Sequence, residues 1–249
     1  MTGADVSFSG DSAFAYAENG GTVVCDPADF VNIGNTVYIP AAASVDGIGY
    51  STLDEAIAAA TSGQTVLVRA DVHTAQDFAL GGRNLTMEGE DGAVLVPYAN
   101  ADADAGALVL MGSNGGTLTV KNIAFSGADS AVQGRGICFS GQQNEDATLV
   151  VENCTFDSLY AGAFLGGVKQ ATFTECAFTN SESGTAIGGT EGITVSLTVD
   201  RCTFGEGITE TIGWAGQGGS QLIIKDSPTC ENFADWTNGN GGQSKYQRR

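Results

Sequence analysis

Three octets decide the architecture of this chain: Leu149-Val-Val-Glu-Asn-Cys-Thr-Phe156, Ala171-Thr-Phe-Thr-Glu-Cys-Ala-Phe178 and Leu197-Thr-Val-Asp-Arg-Cys-Thr-Phe204. Each has an apolar residue at its first and third positions, two polar residues before a Cys, and a Phe at its end. Leu118-Thr-Val-Lys-Asn-Ile-Ala-Phe125 repeats the pattern with Ile in place of Cys, and Leu222-Ile-Ile-Lys-Asp-Ser227 keeps its first half. The phenylalanines at 125, 156, 178 and 204 are 31, 22 and 26 residues apart, a solenoid-range spacing that puts loops of variable length between constant strands.

Alternation decides strand over helix. Leu118 and Val120, then Ile123 and Phe125, point one way with a period of two. The break at Lys121-Asn122 shifts the parity by one, as a chain must when it turns a corner and keeps both flanking strands aimed at one interior. Asn suits that corner because it tolerates the left-handed backbone region, and its amide can bond a like residue one layer away. The corner column reads Asn122, Asn153, Glu175, Arg201, Asp226, so an asparagine ladder spans two layers at most.

A third strand fits the gaps, near 136–139, 162–165, 185–187 and 211–214. The fold expected is therefore all-β, a right-handed single-stranded parallel β-helix with three strands per coil and neighbours about 4.8 Å apart. Phe125, Phe156, Phe178 and Phe204 form one structural ladder, and Cys154, Cys176 and Cys202 another. Thr52-Leu-Asp-Glu55 is a capping box. A short helix over 53–60 follows, with Leu53, Ile57 and Ala60 on one stripe, laid across the first coil to hide its raw strand edge. Residues 1–44 read as a lead-in with short strands, 45–236 as the β-helix, and 237–249 as a polar tail.

On these residues, and on Val45-Asp-Gly-Ile-Gly-Tyr-Ser-Thr-Leu-Asp-Glu-Ala-Ile-Ala-Ala-Ala60 running on to Val66-Leu-Val68, the chain resembles right-handed parallel β-helix proteins of the pectate-lyase-like superfamily. It resembles most the β-helix modules of surface proteins of Gram-positive bacteria. The resemblance covers roughly residues 45 to 230. It implies an extracellular or cell-surface location and a ligand face on the third strand, but it leaves function open, since one fold hosts many chemistries.

Composition narrows the choice. A net charge of −19 with only ten Lys plus Arg repels nucleic acid and anionic lipid. No run approaches a membrane span of roughly 18 apolar residues. The first residues lack a basic-then-apolar secretion pattern, so export is an expectation of the resemblance. The stacked cysteines run alongside one another instead of converging, which favours buried free thiols over disulfides. Zinc ligand spacing is missing and His73 is the only histidine; it reads as a surface residue.

The Asn-Thr-Asp, Asp-Asp, Gly-His-Gly and Arg-Ile-Lys signatures of polygalacturonase-like hydrolases do not occur, so no catalytic residue is assigned. Acidic groups such as Glu88, Glu90 and Asp91, Asp102 and Asp104, or Glu145 and Asp146 read as solvated loop charge. Calcium is a weak alternative to no cofactor at all. A binding face on the third strand would draw on Arg135, Tyr160, Lys169, Trp214 and Gln217, flat rings beside hydrogen-bonding groups that suit carbohydrate. Phe139 is expected in the core, and Trp214 either in the core or on the outer platform. The glycine pairs at 166–167, 188–189 and 218–219 read as tight turns. The expected function is a non-catalytic structural stalk or a carbohydrate- or host-binding adhesin, monomeric or part of a larger chain. The alternatives are a polysaccharide lyase or glycoside hydrolase, and a trimeric phage tail-spike fragment.

Overall fold

Strands of the octets stack in parallel, one rung above the next. The computed structural model describes residues 15–16, 28–32, 37–75, 77–98, 106–111, 114–128, 134–140, 146–189, 195–213, 220–231 and 245–248. Three walls enclose one interior. The first wall stacks, in parallel, Thr65–Val68, Asn84–Gly89, Gly116–Lys121, Ala147–Glu152, Gln170–Thr174, Ser196–Asp200 and Gln221–Lys225. The second runs from Asp71–His73 through Ala93–Leu95, Ala124–Ser126, Thr155–Asp157 and Ala177–Thr179 to Thr203–Phe204. Gly106–Met111, Arg135–Ser140, Ala163–Leu165, Thr185–Gly189 and Glu210–Gly213 make the third.

From Gly116–Lys121 onward, the corner between the first and second walls is set by one residue per rung in the left-handed region. Asn122, Asn153, Glu175, Arg201 and Asp226 have φ of 56°, 51°, 55°, 51° and 42°. Asn122, Asn153 and Asp226 are of residue types that tolerate this conformation, so the repeat and not local preference imposes it on Glu175 and Arg201. The ladder continues through the bend: the amide of Asn153 donates to the carbonyl of Thr174 (3.0 Å), that of Glu175 to Asp200 (2.9 Å) and that of Arg201 to Lys225 (3.0 Å). Side chains follow the same column. Asn153 Nδ2 donates to Asn122 Oδ1 at 2.9 Å, the two-layer asparagine ladder expected, and Arg201 Nε pairs with Glu175 Oε1 at 2.9 Å.

Inside, register places Phe125 on Phe156, Phe156 on Phe178 and Phe178 on Phe204. Ring centroids lie 4.8, 4.7 and 5.1 Å apart, with planes within 5° of parallel. The strand repeat fixes this spacing. Phe173 meets Phe156 and Phe178 edge-on at 6.4 and 5.9 Å, the arrangement that ring quadrupoles favour. Glycine makes room for the column. A Cβ on Gly162 would stand 2.6 Å from the ring of Phe178 and 2.8 Å from the carbonyl of Ala186, and one on Gly136 would stand 2.7 Å from Phe156.

Cys154, Cys176 and Cys202 are buried and free, as are Cys138 and Cys230. The three column thiols donate to backbone carbonyls, Cys154 to Glu152, Cys176 to Thr174 and Cys202 to Phe173. Burial pushes the Cys154 thiol up to about 12. Cys176 is raised too, first by the adjoining Cys202 thiol and then by burial.

The coil's N-terminal edge is closed by more than the helix. The hairpin Ala43–Val45 and Ile48–Tyr50 lies antiparallel against Thr65–Val68 and pairs its exposed edge. Its turn, Asp46-Gly47, has φ of 48° and 77°, the two positive values a tight two-residue hairpin needs. The helix, Leu53–Ala59, packs behind it with Leu53, Ala56 and Ile57 buried. Thr52 Oγ1 accepts the Glu55 amide, as a capping box requires. Glu55, however, reaches one residue further back than expected, to the amide and hydroxyl of Ser51. Arg83, from the next rung, donates to the carbonyls of Ile57 and Ala60 at the helix end and to Leu80 and Ala79 nearby.

The lead-in contributes a three-stranded antiparallel sheet, Ala15–Tyr16, Phe30–Asn32 and Val37–Pro40, in keeping with the short strands expected there. Arg69 holds the turn at residues 28–29 to the coil, bridging Asp29 and Glu90 and donating to the Ala28 carbonyl. At the other end hydroxyls replace carbonyls as acceptors: the Cys202 amide donates to Ser227 Oγ and the Phe204 amide to Thr229 Oγ1, both at 2.9 Å. Within the polar tail, Lys245–Arg248 adds a parallel strand to the first wall.

Phe178→Ala is expected to cost about 3–5 kcal/mol in urea unfolding, since it opens a void in the middle of the ring column. Gly162→Ala, which adds one methyl against that ring and a carbonyl, is expected to cost about 1–3 kcal/mol. The thiols give a pH signature. A raised folded value means stability present below the range where an unfolded thiol ionises, about 8.5, and lost as pH climbs through about 12 for Cys154. The urea midpoint should therefore fall more steeply with alkaline pH in the wild type than in Cys154→Ala, and parallel curves would refute the burial of this thiol.

Candidate functional site

The outer side of the third wall is where flat rings and charges come together. Its parity is fixed by register, in which Val109, Cys138, Phe164, Gly188 and Gly213 pair in succession. These residues form the outward column. The alternate columns, Leu108, Ile137, Ala163, Ile187, Ile212 and Leu110, Phe139, Leu165, enter the core, and Phe139 is fully buried as expected. Val109 and Cys138 are also buried although they face outward.

Phe164 sits one position off the parity of Phe139, so it points out and is half-buried. The Arg135 guanidinium lies 4.4 Å from its ring centroid and 5.7 Å from that of Tyr160, within cation–π reach of both. Tyr160 is 45% exposed. Its backbone is fixed on both sides: its amide donates to the Gly134 carbonyl at 2.9 Å, and its carbonyl accepts from the Ser183 amide and the Ser181 hydroxyl. A rigid backbone thus holds an exposed ring beside a cation. That combination suits stacking against the apolar face of a sugar while guanidinium hydrogens meet hydroxyls.

Beyond Phe164 the strip becomes shallow. A Cβ on Gly188 would make only ordinary contacts, 3.6 Å to the Gly213 carbonyl and 3.8 Å to the Phe164 ring, and the glycine itself is buried between its neighbours. At Gly213 the space is occupied: a Cβ there would stand 2.6 Å from Glu210 Oε2 and 2.8 Å from Thr185 Cγ2. The Glu210 carboxylate lies over this glycine and accepts from Thr185 Oγ1 at 3.2 Å. Among the described residues, Glu210 is the one carboxylate in the strands of this wall. It precedes the core residue Ile212 by two positions, as Arg135 precedes Ile137, three rungs away. At the strand repeat this places their backbones roughly 14 Å apart along the coil.

Not every expected residue joins this strip. Lys169 stands past the other end of its strand, at the corner into the first wall, 66% exposed and paired with Asp146 at 3.5 Å. It is a surface ion pair, worth little energetically, and is not part of the ring cluster. Trp214 and Gln217 lie outside the described residues, as do Asp102, Asp104 and Glu145. Gly188 and Gly189 lie within a strand and form no turn, whereas Gly167 does adopt a positive φ of 82°; the 218–219 pair falls outside the described residues.

His73 is half-buried, its Nε2 bonded to the Arg69 carbonyl at 2.8 Å, a structural contact instead of a bare surface position. Glu90 is committed to Arg69. Among the described residues no three His, Cys, Asp or Glu side chains are grouped to hold a metal ion, and no helix is long and apolar enough to cross a membrane. Phe164, Thr185 and Glu210 were not singled out by sequence. Aligning the third strands on Ile137, Ala163, Ile187 and Ile212 would have exposed Phe164 as outward.

No curated protein and no solved structure shows a match to the chain. The family described as a right handed beta helix region matches residues 105–232, just over half of the sequence and nearly all of the rungs that carry the ring column and the outward strip. Together with the three parallel walls, this places the chain in the right-handed β-helix family.

Proposed function

We propose that this chain is a non-catalytic, rigid module of a bacterial extracellular or cell-surface protein that binds carbohydrate on the outer side of its third wall. The observation that carries the reading is the Arg135 guanidinium held between the half-buried ring of Phe164 and the exposed ring of Tyr160. Sugars offer an apolar face and a rim of hydroxyls, and this cluster offers an exposed ring beside a cation.

Rigidity supports the surface role. A dry interior of stacked rings and aliphatic columns, with every rung bonded to the next, leaves little slack for proteolysis. The net charge of −19 favours solubility outside the cell and disfavours polyanionic sugars such as polyuronates, whose approach the field opposes.

Glycan-array screening followed by calorimetry is expected to find a bound oligosaccharide. Tyr160→Ala should weaken that binding about tenfold, a loss of about 1.4 kcal/mol, with little change in melting temperature because the residue lies outside the core and is 45% exposed. Phe164→Ala should weaken it at least as much. A blank array, or unsaturated uronate absorbance that grows with protein dose on acidic polysaccharides, would overturn the reading.

A further inference from the structure

We infer that the carbohydrate taken by this strip carries free amino groups, so that a protonated sugar amine pairs with Glu210 while the neighbouring ring stacks near Phe164. The inference rests on the binding reading above and names the class of sugar.

Three observations lead to it. First, Glu210 is presented to the strip and not turned away from it. Its carboxylate is laid across the sheet over Gly213, where any side chain would collide with it, and the Thr185 hydroxyl steadies Oε2 at 3.2 Å. The other oxygen has no ion-pair partner among the described residues, since neither Arg nor Lys is recorded within 4.0 Å of this carboxylate.

Second, the two charges of the strip are separated and are not equivalent. Arg135 covers an aromatic face at 4.4 Å and stands three rungs, roughly 14 Å, from Glu210. A sugar lying along the outer strip between the partly exposed Phe164 and Glu210 therefore meets an aromatic ring on one side and a carboxylate on the other. An ammonium group satisfies that carboxylate through a charge-assisted hydrogen bond. A uronate would set like charges against each other.

Third, the protein's overall field favours the same ligand. With 29 Asp plus Glu against ten Lys plus Arg, the chain attracts a polycationic sugar from a distance and speeds its encounter at low salt. An acetylated amino sugar keeps the rings and hydroxyls but loses the charge, so it isolates this contribution.

The test is calorimetry with three probes: a glucosamine oligomer in mildly acidic buffer where its amines are protonated, the matching N-acetylated oligomer, and an oligogalacturonate. The glucosamine oligomer is expected to bind at least tenfold more tightly than the acetylated one. Glu210→Gln, which keeps the acceptor for Thr185, is expected to remove most of that difference while leaving the acetylated oligomer's affinity unchanged. Asp91→Asn removes the same unit of charge from an exposed turn away from the strip and should preserve the preference.

Equal or tighter binding of the acetylated oligomer, or a preference that survives Glu210→Gln, overturns the amino-sugar assignment while the carbohydrate-binding reading stands. Preference lost equally in Asp91→Asn and Glu210→Gln would show the field acting alone and also overturns the assignment to Glu210. Failure of all three probes to bind overturns the assignment, and a blank glycan array would take the underlying reading with it.

Discussion

Everything in this molecule depends on one backbone conformation repeated at one corner. After each first-wall strand from Gly116–Lys121 onward a single residue enters the left-handed region, at Asn122, Asn153, Glu175, Arg201 and Asp226, and the chain turns without breaking its ladder to the neighbouring rung. A slip of one residue at this corner would turn the following Phe to solvent; the rung of Asn84–Gly89 turns instead through Glu90–Gly92 and still brings Leu95 under Phe125. The stacking of Phe on Phe is therefore a consequence of the corner as much as a cause of stability. A glutamate and an arginine accept an unfavourable φ because two packed strands on either side over-determine it.

The same repeat explains which parts of the structure could be read from the octets and which could not. Alternation within Leu118–Phe125 and its counterparts carries strand identity, interior parity and the corner position, because all three are set by residues next to one another. The direction of Phe139 and Phe164 could not be read so directly. Each lies in a third strand of variable surroundings, and only pairing across rungs, Cys138 with Phe164 and Phe139 with Leu165, reveals that adjacent phenylalanines in the alignment face opposite ways.

Contacts that bridge distant segments were invisible for a related reason. Arg83 caps a helix that ends more than twenty residues earlier, with Nη1 3.0 Å from the carbonyl of Ile57 and 2.7 Å from that of Ala60, and nothing in its local sequence announces a partner. The Asp46-Gly47 hairpin was legible in principle, since that dipeptide is a strong turn signal, but its role in sealing the sheet edge emerges only from the antiparallel pairing with Thr65–Val68. Candidate site residues divide the same way. Arg135 and Tyr160 stood out by residue type, whereas Glu210 gains meaning from the glycine it covers and from Thr185 on the neighbouring rung.

Ser227 and Thr229 give the second wall a terminus made of alcohols. A growing amyloid or a swapped copy adds to a sheet by exchanging amide and carbonyl bonds with its edge, and here the amide half of that exchange, at Cys202 and Phe204, is already taken by side chains from the same molecule. Hydroxyl groups on a turn containing Pro228 cannot hand that pairing on to a further strand. The architecture most prone to endless elongation thus carries, on this side, its own chain-stopper.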